Sequence, residues 1–133
     1  MSDKQSIDKV VEIFFSIFTN TNQKEPDWYI IHAICSPQTI IIKKTGLAEE
    51  VYTLQTFIEP RKKLLSDGTL TEFEEMETVE ETKVIGNIAQ RFSKYKKSGY
   101  LNGKYFKGNG NKFFQFIKTA DGWKINSLIW EDN

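Results

Sequence analysis

The chain has 133 residues, 39% apolar and 14% aromatic, with ten Phe and three Trp. That supports one domain with a ring-rich core and excludes a disordered segment. The single cysteine, Cys35, excludes an internal disulfide framework and a multi-cysteine metal site, and the formal net charge of zero argues against a nucleic-acid partner.

The charges are nevertheless segregated. Six carboxylates and no basic residue lie between Glu72 and Glu81, whereas Thr82 to Ala120 holds nine Lys/Arg and no acid. No apolar run approaches the length of a membrane span, and no apolar segment precedes a cleavage site. The expectation is a soluble, cytoplasmic protein with no cofactor, no metal and no membrane partner.

In chain order, Ser2-x-x-Gln5 has capping-box form, and Ile7, Val10, Val11, Phe14, Ile17 and Phe18 recur at helical spacing. This predicts an amphipathic helix of about four turns, ended by Thr19–Gln23. Pro26-Asp27 opens a second, shorter helix on which Trp28, Ile31, His32 and Cys35 share a face, and Ser36-Pro37 stops it. Thr39–Ile42 reads as a short strand turned at Thr45-Gly46, and residues 47 to 55 stay open between coil and strand. Thr56-x-x-Glu59 with Pro60 marks a third helix that ends at Asp67-Gly68. Two long strands follow, Thr69–Val79 and Lys83–Tyr95, turned near Glu81. Lys96 to Asn111, with four glycines, reads as a loop.

Lys112 to Trp130 carries two ring-rich runs around Ala120-Asp121-Gly122, a hairpin closed by a left-handed glycine. A three-residue loop pairs Thr119 with Trp123. Period-two alternation then sets Phe113, Gln115, Ile117, Trp123, Ile125, Ser127 and Ile129 on the core face. Phe114, Phe116, Leu128 and Trp130 fall on the outer face. Monomers rarely leave such a patch uncovered, so this register predicts a symmetric homodimer through those four residues.

No repeat, linker or composition shift divides the chain, which predicts a single α+β domain over residues 1–133, with three helices on one side of a curved antiparallel sheet. The element order resembles the nuclear transport factor 2-like (SnoaL-like) superfamily over nearly the whole chain. Lys112-Phe-Phe-Gln-Phe-Ile and Asp121-Gly-Trp-Lys-Ile are the best-marked parts. The resemblance implies a cystatin-like cone with an apolar pocket between sheet and helices, and dimerisation through the outer sheet. It implies no one function, since members range from cyclases and isomerases to transport adaptors. Isomerases of the group place an aspartate just after the strand that follows the short helix. This chain has Ile42-Lys43-Lys44 there, and no Asp between Asp67 and Asp121, which counts against that mechanism.

Six residues are candidate ligand contacts: Trp28, Tyr29, His32, Arg91, Gln115 and Ser127. Trp28 and Tyr29 would roof the cone, with Gln115 and Ser127 side by side inside it; a mutual hydrogen bond is the simpler role for the last two. His32, the only histidine, is either a general base at the pocket mouth or a half-buried structural side chain. Arg91 would anchor an anionic group if it points inward, and otherwise pairs across strands with the acidic block, Glu72 in particular. Cys35 reads as an inert buried thiol. Gly99–Tyr105 fails as a phosphate loop, one residue short and lacking the Ser/Thr. The sequence thus predicts a binding domain for a small, largely apolar molecule. A cofactor-free cyclase, isomerase or dehydratase and a protein-interaction module are the alternatives.

Overall fold

A computed structural model describes residues 1–133. Helix α1 spans Asp3–Ile17. Its N-terminus is the expected capping box, with the Ser2 hydroxyl accepting from Gln5 N–H at 3.1 Å and Gln5 Oε1 accepting from Ser2 N–H at 3.0 Å. A 3-10 turn at Trp28–Ile30, capped by Asp27, leads into the four-residue α2, Ile31–Ile34. Strand β1 (Cys35–Thr45) turns back into β2 (Ala48–Tyr52), and α3 (Leu54–Ser66) follows. Four long strands complete the chain: β3 (Leu70–Ile85), β4 (Ile88–Leu101), β5 (Lys104–Thr119) and β6 (Gly122–Asp132). They form one six-stranded sheet in the order β2-β1-β6-β5-β4-β3, antiparallel except where β1 runs parallel to β6. The α+β class, the three helices and the single curved sheet agree with the sequence reading.

Four local expectations differ. The second helix is too short to bring His32 and Cys35 onto one face: His32 is exposed, and Cys35 already belongs to β1. The third helix starts earlier, at a Thr53 cap that reciprocates with Thr56, and carries Pro60 in its middle. The β3–β4 turn falls at Gly86-Asn87 rather than near Glu81, so Arg91 opposes Thr82 instead of Glu72. Residues 96 to 111 are not a loop. β4 and β5 continue through them to a tight turn at Asn102-Gly103, where both residues take left-handed φ of 51° and 80°.

The terminal hairpin brings the main correction. Thr119 pairs with Gly122 across a two-residue turn, and Asn126 is an extra residue that bulges β6 between the Phe116–Ile125 and Gln115–Ser127 pairs. Before the bulge Trp123 and Ile125 face the core as expected. After it the parity of β6 reverses, so Leu128 and Trp130 also turn inward, opposite Phe114 and Lys112. Phe114, Phe116, Leu128 and Trp130 are therefore core residues, none more than 7% exposed. They cannot be the dimer surface. Phe113, Gln115, Ser127 and Ile129 lie on the outer face instead.

Asn20, unremarkable in the sequence, ties the layers together. Its buried Nδ2 donates to the carbonyls of Leu65 (3.1 Å) and Leu70 (2.8 Å), and its Oδ1 accepts from Phe73 N–H at 2.7 Å. The ends of α1, α3 and the start of β3 meet on one amide.

Candidate functional site

The concave side, where a pocket was expected, is occupied by packed rings. Phe14 meets Phe114 and Phe18 edge-on at 5.5 and 5.4 Å; Phe18 meets Phe57 and Phe57 meets Trp130, each at 5.6 Å. This chain of T-shaped pairs runs from α1 through α3 to β6 in the geometry aromatic rings prefer.

Two buried cations close the same face. Arg91 points towards α1, which decides between it and Gln90, the outer-face neighbour. Its Nε donates to Glu77 at 3.0 Å, its other nitrogens reach Glu77 and Asp8, and Glu80 lies 3.7 Å away. Burial disfavours the guanidinium charge, but the bonds to Glu77 and Asp8 outweigh it and hold the pKa above the ordinary value. The carboxyl of Asp8 shows the converse: burial pulls it up, but Lys4 and Arg91 bring it below the usual range. Cross-strand pairing with the acidic block is thus what Arg91 does, with Glu77 rather than Glu72. Glu72 instead accepts from Asn22 N–H, at 3.1 and 3.2 Å.

Lys112 is the second cation. Its ammonium is 2.8 Å from Glu75 and lies over the rings of Tyr95 (4.2 Å) and Trp130 (5.1 Å). Burial pushes its pKa down, and Glu75 only partly offsets that. Beside it the Tyr95 hydroxyl donates to Asp132, which also pairs with Lys97 at 2.8 Å. Burial and the Asp132 carboxylate drive the Tyr95 phenol far above its ordinary value. Gly110 makes room for this ring, since a Cβ there would run into the Tyr95 hydroxyl. Each of these groups is engaged by a partner of opposite charge or a hydrogen bond. None is left as a free acid or base for chemistry on a substrate.

The outer face is different. Register places Val51, Ile42, Ile129, Phe113 and Phe92 in one line across β2, β1, β6, β5 and β4. Val51 is 63%, Phe113 58% and Ile129 45% exposed, and Ile40 beside them 51%. Phe92 and Phe113 touch at 5.2 Å between centroids. Lys44, Lys94, Glu49, Glu81 and Glu131 surround this stripe with both signs of charge.

The six candidate contacts do not converge. Trp28 is half-buried against Phe18 at 6.2 Å, Tyr29 is 80% exposed, and His32 is exposed on α2. Arg91 is on the inner face, Gln115 and Ser127 on the outer one. The pair of polar side chains does sit side by side, with the Ser127 hydroxyl donating to Gln115 Oε1 at 2.9 Å. The expectation of one cavity bordered by Trp28, Tyr29, Gln115 and Ser127 therefore fails: the two-residue turn puts Gln115 on the outer face of the sheet, and the bulge puts Ser127 there too. Cys35 is buried as expected, and burial pushes its thiol up to about 12, which keeps it protonated and inert. Lys112 and Glu75 were not among the candidate residues; a two-residue turn at Ala120-Asp121 is the signal that would have put Lys112 on the inner face. His32→Ala is expected to leave the melting temperature nearly unchanged, a loss within about 0.5 kcal/mol, because no buried partner would be orphaned; thermal denaturation by circular dichroism checks it.

The architecture is that of the nuclear transport factor 2-like fold. A superfamily protein of that name from Salmonella enterica serovar Typhimurium superposes with a TM-score of 0.79, at 16% identity over 98% of this chain and 90% of that one. A conserved protein from Planctomyces limnophilus gives 0.81 at 13% identity over 98% and 96% of the two chains. A nuclear transport factor 2-like protein from Cytophaga hutchinsonii gives 0.76 at 11% identity, covering both chains fully. No protein-family model matches the sequence, and no curated protein matches it. At these identities the likeness defines the fold alone. No helix is long and apolar enough to cross a membrane.

Proposed function

We propose that the chain is a protein-interaction domain that works as a homodimer, face to face through the outer surface of its sheet. The observation that carries this reading is the exposed stripe Val51–Ile42–Ile129–Phe113–Phe92. Crossing five strands, it is about 19 Å wide at the usual strand spacing. With Ile40 beside it, it forms the apolar centre that a stable interface of roughly 800 Å² per partner requires. A second copy suits it because the rim carries both signs of charge. A rim of one sign would repel an identical surface. The expected dimer thus keeps its place on the outer sheet but exchanges its residues. A small apolar ligand inside the cone, or an enzyme acting there, is less well supported, since packed rings occupy the volume and the buried ionisable groups neutralise one another.

Sedimentation velocity tests this reading. The wild-type chain is expected to sediment as a dimer at micromolar concentration, and the Phe113→Glu/Ile129→Glu double variant as a folded monomer. A wild-type monomer at that concentration overturns it.

A further inference from the structure

We propose that the depression at the β3–β4 tip is a binding site for a small amphipathic carboxylate, an aliphatic acid of the fatty-acid type. It lies on the outer sheet face, about four residues or 13 Å along β5 from Phe113, and has a volume of about 400 Å³. That is within the range of small-molecule sites.

Its chemistry is divided. Ile85, Ile88 and Ile117 give it apolar walls, the first two 61% exposed although nothing in the fold requires them there. The polar side chains that line it are Lys83, Gln90, Gln115 and Asn126, all of which carry N–H donors. No carboxylate lines it, and Lys83 is its only charged side chain. Two of the amides are oriented. Ser127 Oγ occupies Gln115 Oε1 at 2.9 Å, so the Nε2 end of Gln115 is the one left for a ligand. Asn126, the bulge residue, has its Oδ1 buried without a hydrogen-bond partner, which leaves Nδ2 as its accessible end.

A cation with amide N–H groups on one side and branched aliphatic side chains on the other matches a carboxylate head on an alkyl body. A neutral alcohol would leave Lys83 unused. A carboxylate without a chain would leave the isoleucines wet. The β6 bulge shapes the site, since it sets Ser127 on the same outer face as Asn126, where Ser127 holds the Gln115 amide. This inference does not rest on the dimer: the site adjoins the apolar stripe through Gln115 and Ser127, but no stripe residue lines it.

Titration calorimetry of the full chain with sodium octanoate tests it, with acetate and octan-1-ol as controls. Octanoate is expected to bind and acetate not, and each methylene removed from the chain should weaken affinity by up to about fourfold. Lys83→Met should weaken octanoate about tenfold or more while leaving octanol unchanged. Amide NMR shifts on octanoate addition should centre on Ile85, Gln90, Gln115 and Asn126. Three results would overturn the site: no heat at roughly 10 mM octanoate, octanol binding as tightly as octanoate, or shifts centred on Phe113 and Ile129. Lys83 is exposed, so its variant keeps the fold. The Phe113→Glu/Ile129→Glu variant should bind octanoate normally, which separates failure of this site from failure of the dimer.

Discussion

Phe114→Ala is expected to cost about 3–5 kcal/mol of folding stability, whereas Phe113→Ser, one residue away, should cost less than about 1 kcal/mol. Phe114 is fully buried, with Phe14 at 5.5 Å, Phe116 at 5.9 Å and Phe15 at 6.5 Å around its ring. Truncation leaves a cavity between α1 and β5 that close-packed neighbours fill only partly. A loss of that size is a large fraction of the roughly 5–15 kcal/mol that holds a domain folded, enough to unfold much of the chain at 37 °C. Phe113 projects from the other side of the same strand and is 58% exposed. Its loss should act on assembly, which makes the apparent stability of the wild type concentration-dependent and that of the variant not. Urea denaturation at two protein concentrations separates the effects. If Phe113→Ser proves the more destabilising at the lower concentration, the faces assigned to β5 are exchanged.

The second large effect concerns the buried pair Glu75–Lys112. Glu75→Ala should destabilise by about 3–5 kcal/mol, because it strands an ammonium among Phe15, Tyr95 and Trp130 with only Asp132, itself paired with Lys97, as a nearby counter-charge. Lys112→Met should be close to neutral, since a methionine fills similar volume and removes the ion. The pH dependence identifies the cause. Burial lowers the folded-state pKa of Lys112 below 10.5. Between the folded value and 10.5 the unfolded chain binds more protons, so stability rises with pH through that window. The window should widen in Glu75→Ala, which removes the attraction that partly restores the charge, and close in Lys112→Met. Asp8, Glu80 and Asp132 act with the same sign, at the acid end of the pH scale. Their pKa values are held below 3.8 to 4.5 by Lys4, Arg91, Lys97 and their hydrogen bonds, against burial. Stability from these groups is full above about pH 4.5 and is lost as pH falls through their folded-state values. Melting curves at pH 3, 7 and 9.5 for the three proteins check both limbs.

Wherever a local rule governs, the sequence was sufficient. Helix α1 was legible because apolar spacing and the Ser2/Gln5 box act within one or two turns. The α+β class was legible because helical and alternating patterns follow one another along the chain, and with them came a fold with known relatives. Asn102-Gly103 was legible in principle, yet the glycines around it read as a loop, and that shortened β4 and β5 by half a hairpin. The burial of Lys112 over Tyr95 was missed for another reason: a three-residue turn after Thr119 would put Lys112 on the outer face with Phe114 and Phe116.

Which face of the terminal hairpin is inside was decided only in three dimensions. A period of two has no memory beyond the last irregularity: one extra residue at Asn126 reverses every later side chain of β6. Nothing local distinguishes Asn126 from its neighbours. The bulge exists because Trp123 and Ile125 must meet α1 and α2 while Leu128 and Trp130 must also reach the rings of α1 and α3, and an unbroken strand can satisfy only one of those pairs. The sequence by itself determined that there would be two ring-rich faces. Tertiary packing decided which became the core and which was left exposed.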